Sequence, residues 1–141
     1  MKKKSLISII AILLICSISL PFPAYAATNA SAQISSYSMS ATPVSGGQIA
    51  IEFSITGAYQ MAVIGAKTIS IYEYHGTYWS YVDGYTQYDD GMTRTNAFNY
   101  GNSIYFDGES GTEYRIYVQV FAEDSSGASD SRSETFYVTV N

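Results

Sequence analysis

From Ile49 to Ile55 the chain reads Ile-Ala-Ile-Glu-Phe-Ser-Ile, with a large apolar residue at every second position and a small or charged one between. Successive side chains of a strand point to opposite faces, so Ile49, Ile51, Phe53 and Ile55 share one face. The pattern returns in Tyr114, Ile116, Val118, Val120 and Ala122, with Arg115, Gln119 and Glu123 pointing away, and again in Phe136, Val138 and Val140. Weaker runs at Tyr37 to Ala41, Thr68 to Tyr74, Tyr78 to Val82 and Phe98 to Phe106 fill the intervals. Turn formers separate them: Pro43 with Ser45-Gly46-Gly47, His75-Gly76, Asp89-Asp90-Gly91, Asp107-Gly108 with Gly111, and Ser125-Ser126-Gly127. About seven short strands punctuated in this way predict an all-β antiparallel sandwich, not a fold of alternating strands and helices. No window shows helical periodicity, the apolar stretch from Tyr59 to Ala66 is too irregular to assign, and there are no internal repeats.

A different pattern precedes the strands. Lys2, Lys3 and Lys4 lead into an apolar run from Leu6 to Leu20, followed by Pro21, Pro23 and Ala24-Tyr25-Ala26. A positive start, a short apolar segment and small residues at the −1 and −3 positions predict a secretory signal peptide over 1–26, cut after Ala26 or Ala27. The 15-residue run falls short of the ~20 needed to span hydrocarbon, which argues against a retained anchor. Ile15 stands where lipid attachment at Cys16 would need Gly, Ala or Ser. The expected organisation is a signal peptide (1–26), a loose small and polar leader (27–33) and one β-sandwich domain (34–141), secreted or held at the cell surface.

Removing 1–26 leaves 115 of the 141 residues and takes away the only cysteine, so the domain is held by core packing without disulfides. Four basic residues remain (Lys67, Arg94, Arg115 and Arg132) against twelve acidic ones, a formal charge of −8. Nucleic acids and anionic membranes select for Lys and Arg clusters, so neither is an expected partner once the signal is removed.

Gly111-Thr112-Glu113-Tyr114, running into the alternating strand that follows, resembles the sixth strand of fibronectin type III and related immunoglobulin-like domains. In those domains the tyrosine forms a corner whose hydroxyl bonds the backbone upstream, the structural role the resemblance implies for Tyr114. Ile69-Ser70-Ile71-Tyr72-Glu73-Tyr74 with Gly76, Trp79 and Val82 is similar to the third strand, turn and next strand of bacterial members, and Ser125 to Ser131 to the loop before the last strand. These stretches cover about half of the domain. The middle departs from the family: Ala58 to Ala66 stands in place of its Pro-rich turn and of the Trp near the second strand. As a whole the chain is similar to short exported proteins of Gram-positive bacteria made of a signal peptide and one such domain, a likeness that implies fold and export and carries over no active site.

Residues suited to catalysis are scarce. His75 is the only histidine and sits in a turn, so nucleophilic hydrolysis lacks a base with an evident partner, and a zinc site of the usual His and Cys type is excluded. No phosphate loop, dinucleotide fingerprint or His-Glu-Xaa-Xaa-His string is present. Asp89-Asp90-Gly91, Asp107-Gly108-Glu109 and Asp124 to Asp130 offer oxygens of the kind Ca²⁺ takes, yet none forms a closed loop motif, and Asp with Gly is what turns use anyway. No cofactor is expected.

Tyr25 aside, thirteen tyrosines remain, with Trp79 besides. Aromatic residues suit half-buried strands, which accounts for most of them. Alternation points Tyr72 and Tyr74, Tyr117 and Phe121, and Tyr137 away from the core. The third, sixth and seventh strands of an immunoglobulin-like sandwich are neighbours, so these five residues are expected to meet on one outer face. An aromatic patch of that kind stacks on sugar rings, binds a protein or packs against a second copy. The chain is therefore expected to be a non-catalytic binding or structural module. A carbohydrate-binding module using exposed Tyr and Trp is the first alternative, and a small extracellular hydrolase the second.

Overall fold

All four alternating residues of the 49–55 segment are buried: Ile49, Ile51, Phe53 and Ile55. So are Tyr114, Ile116, Val118, Val120 and Ala122, together with Val138 and Val140. The computed structural model describes residues 31–141, and the predicted signal peptide and residues 27–30 of the leader lie outside the described residues. Six strands form: β1 (Ile34–Val44), β2 (Gln48–Tyr74), β3 (Trp79–Thr86), β4 (Thr93–Asp107), β5 (Glu113–Glu123) and β6 (Ser129–Thr139). All pairings are antiparallel.

One strand fewer than predicted results from β2, whose 27 residues absorb two of the predicted strands and the unassigned stretch between them. Its first half pairs with β1 and β4, and its second half with β3 and β5, which in turn pairs with β6. The sheet therefore curls on itself. One layer is β1, the start of β2, and β4; the other is β3, the end of β2, β5 and β6. β1 also packs against β5 and β6 without a ladder between them. The apolar faces turn toward each other, which is a β-sandwich in the general sense.

The bend falls at two irregularities of the ladder, between Thr56 and Met61 on the β4 side and between Ala66 and Thr68 on the β5 side. Extra residues in one strand sharpen its twist, which turns β2 from one layer into the other. Between them, Gly65 faces Thr93 on one side and Phe121 on the other. A Cβ at Gly65 would lie 2.2 Å from the Met92 carbonyl oxygen and 2.8 Å from the Thr93 Cα, so only glycine lets β2 and the start of β4 approach this closely.

Ser31, Ala32 and Gln33, predicted as leader, are tied into the domain. The Ser31 hydroxyl and the Ala32 N–H (3.1 Å) donate to Asp130, and the Gln33 carbonyl accepts from the Ala58 N–H at 2.9 Å.

Candidate functional site

The outward face of the second layer is organised by the turn between β2 and β3. The His75 N–H donates to the Tyr78 carbonyl at 2.9 Å around Gly76-Thr77, and Gly76 takes a φ of 81°. Positive φ at the first of two central residues is the arrangement whose twist matches antiparallel strands. The tight turn sets Tyr74 opposite Trp79, and the register brings Tyr72 opposite Tyr81. On its other side Tyr72 faces Arg115, which faces Tyr137 of β6. One row across four strands therefore carries Tyr81, Tyr72, Arg115 and Tyr137, with Trp79 and Tyr74 beside it.

These side chains touch. Tyr72 meets Tyr81 edge-on at 5.8 Å between centroids, and Tyr74 and Trp79 lie 4.9 Å apart. Trp79 and Tyr137 meet at 5.7 Å although β3 and β6 are separated by β2 and β5. At the usual spacing the two strands stand about 14 Å apart, so both rings lean over the sheet toward each other. The Arg115 guanidinium lies over both Tyr72 and Trp79, 4.5 Å from the first centroid and 5.1 Å from the second. Contacts of this kind contribute about 0.5–1 kcal/mol each at exposed positions, enough to hold the rings in place. Beside Arg115 lies an open depression of about 280 Å³ lined by Tyr72, Arg115, Tyr117, Thr135 and Tyr137.

Exposure divides the five predicted aromatics. Tyr137 is 62% exposed and Tyr74 37%, while Tyr72 and Tyr117 are half-buried. Phe121 does not belong to the face: it is 4% exposed. Alternation is right that it leaves the core side of β5. However, the bend of β2 brings β4 alongside, and Phe121, opposite Gly65 in the ladder, lines a depression with Val63, Tyr88, Thr93 and Thr95. The Lys67 ammonium sits 5.9 Å from its ring. Tyr114 faces the core, and its hydroxyl accepts the Glu109 N–H at 3.0 Å.

Arg115, Trp79 and Tyr81 complete the face and were not among the predicted residues. Trp79 and Tyr81 alternate, and a two-residue turn at Gly76-Thr77 registers them against Tyr74 and Tyr72; that signal was present in the sequence. Arg115 offered none beyond pointing outward.

His75 comes close to a nucleophile and an acid without making a relay. Its Nε2 lies 2.8 Å from the Ser80 Oγ and 3.7 Å from a Glu73 carboxylate oxygen. A catalytic histidine uses one ring nitrogen for the nucleophile and the other for the acid. Here a single nitrogen meets both, and the ring stacks on Tyr78 at 5.1 Å.

Carboxylates of the acidic turns accept hydrogen bonds from backbone and side chains of the same chain. Asp89 accepts from the Thr86 N–H (2.7 Å) and hydroxyl (3.0 Å), and Asp107 from the Gln48 amide at 2.7 Å. Asp124 accepts from the Ser126 hydroxyl (2.6 Å), the Tyr59 hydroxyl (2.9 Å) and the Ser126 N–H (2.8 Å). These donors, that hydroxyl of Ser126 first, hold its carboxyl far below the usual carboxylate range, and Asp124 in turn raises the Tyr59 phenol. Asp130 is likewise lowered, chiefly by the Ser31 hydroxyl. Among the described residues no three His, Cys, Asp or Glu side chains converge as a metal-ligand set.

No family model matches the chain. No curated protein matches it either. A solved structure that it resembles is that of Spo0M, a sporulation control protein from Bacillus subtilis, with a TM-score of 0.42 and 8% identity over 74% of this chain and 49% of that one. This chain thus spans about half the length of that protein, and neither the fold nor the site rests on the likeness.

Proposed function

We propose that this is an exported, non-catalytic binding module built on an immunoglobulin-like sandwich of the fibronectin type III kind, with the outer face of β3, β2, β5 and β6 as its ligand surface. Counting β2 as two strands, the layers read first-second-fifth and fourth-third-sixth-seventh, the arrangement of that family. The bond from the Glu109 N–H to the Tyr114 hydroxyl fits the family's tyrosine corner. The observation that carries the functional reading is two sets of touching rings, Tyr81 with Tyr72 and Tyr74 with Trp79 and Tyr137, bridged by Arg115 and open to water at Tyr81 and Tyr137. Large aromatics at 62% exposure gain little stability where they stand. Rings that serve only packing would be covered, as Phe121 is.

A carbohydrate ligand is the second reading, favoured by the hydroxyls. Those of Tyr81, Tyr117 and Tyr137 have no hydrogen-bond partner among the described residues, and flat rings edged with free hydroxyls suit sugars. Trp79, the only tryptophan of the chain, reports on the face directly. Its emission, followed against cell-wall polysaccharide fractions and extracellular protein fractions, should shift with one of them. The Tyr81→Ser/Tyr137→Ser protein should lose that response while melting within a few degrees of wild type, as exposed substitutions do. A double variant that melts far earlier, or that binds as the wild type does, makes the face structural.

A further inference from the structure

Arg115 is the one cation of this face and the one member whose charge nothing in the domain answers. No carboxylate of the described residues lies within ion-pair distance of it, and its guanidinium donates to no described acceptor. It lies over two rings, 4.5 Å from the Tyr72 centroid and 5.1 Å from that of Trp79. Stacking on rings satisfies the π-face of a guanidinium and leaves its planar edge of N–H donors, the part that grips a carboxylate with two parallel bonds. The depression of about 280 Å³ beside it adds hydroxyls of Tyr117, Thr135 and Tyr137.

Resting on the binding-face reading above, we infer that the ligand is a glycan carrying isolated carboxylates, with a single uronate seated on Arg115 and its sugar ring on the flanking aromatics. The charge distribution selects this class. Lys67 contacts Phe121, six residues along β5 from Arg115, and Arg132 faces Val120, five residues along. At about 3.3 Å per residue both stand more than ~15 Å away, beyond a Debye length. One cation neutralises one negative charge, which suits a carboxylate and leaves a phosphate dianion half unanswered. The −8 charge of the domain opposes a polyanion. Uronates spaced by neutral sugars meet both conditions, and a polyuronate does not. A depression of this size is smaller than a drug-sized pocket and takes about one sugar ring. Unpartnered hydroxyls around it match a polyhydroxylated ligand better than a peptide end.

The test follows Trp79 emission as purified protein is titrated with five probes: a xylo-oligosaccharide bearing one glucuronate, its methyl ester, the same oligosaccharide without the acid, polygalacturonate, and a short peptide with a free C-terminal carboxylate. The singly acidic sugar should bind at least tenfold more tightly than its ester or the neutral sugar, and polygalacturonate more weakly per uronate. Arg115→Gln should bind the acid, its ester and the neutral sugar alike, whatever its overall affinity; Arg115→Lys should restore only part of the preference for the acid, lacking the planar fork. Equal binding of acid, ester and neutral sugar overturns the inference and leaves a carbohydrate-binding face. Binding of the peptide alone overturns it and leaves a binding face for proteins. Silence from all five overturns it as well, and the Tyr81→Ser/Tyr137→Ser comparison then decides the face by itself.

Discussion

A carboxyl surrounded by donors holds its proton weakly, because each N–H or O–H that points at it favours the charged form. Asp124, at the start of the β5–β6 turn, is in that position, with Ser126 of the turn, Tyr59 of β2 and Gln33 before β1 all donating to it. Its folded pKa lies below the ordinary value near 3.8, so its contribution to stability is present above that value and lost as pH falls toward the folded one. Urea midpoints of wild type and Asp124→Asn should differ at pH 6 and converge as the pH is lowered from 4 toward 2. A gap that stays constant over that range would mean the carboxylate charge plays no part. The same set of bonds explains why an Asp-rich turn that offers calcium oxygens on paper spends them on its own chain. Residue type alone does not distinguish the two uses, since Asp beside Ser and Gly serves both.

Among the elements β2 matters most, because one strand supplies a member to each layer. Separate layers joined by a loop can loosen one at a time, whereas a shared strand couples them. Ile51 lies in the first half of β2, and Ile116 in β5 faces Ile71 of the second half. Truncating either Ile51 or Ile116 to alanine should cost about 2–5 kcal/mol. Both should shift a single unfolding transition seen alike by far-UV circular dichroism and by Trp79, which reports only on the second layer. A Trp79 transition unmoved by Ile51→Ala would uncouple the layers. Alternation made the core legible: Ile49, Ile51, Phe53, Ile55 and the inward residues of β5 are buried as their spacing requires. The continuity of β2 was not legible, because a strand that bends through bulges loses its period of two at the bend, and Tyr59 to Ala66 reads as noise. Phe121 failed for the same reason. Its parity is correct, but which strand lies beside it depends on a bend with no local signature. The face was legible where parity alone decided, as for Tyr72 and Tyr137, and not where pairing across strands decided, as for Arg115.

At the scale of the molecule the face has a pole. The β2–β3 turn stands at the end of the sheet where β5 begins, and the β5–β6 turn at the other end, where Ser31 is bonded to Asp130. Trp79, Arg115 and Tyr137 thus lie at the end of the sheet away from Ser31. The acidic balance works against polyanionic ligands, and Arg115 is a local positive charge on the face. All of this depends on which aromatic rings water reaches. Solvent paramagnetic relaxation, recorded by NMR on dilute protein with a soluble gadolinium chelate, measures that for every ring at once. The expected result is strong enhancement at Tyr81 and Tyr137, an intermediate one at Tyr74, and almost none at Phe121 and Tyr114. Protected Tyr81 and Tyr137 rings, or a Phe121 as accessible as they are, would contradict the account.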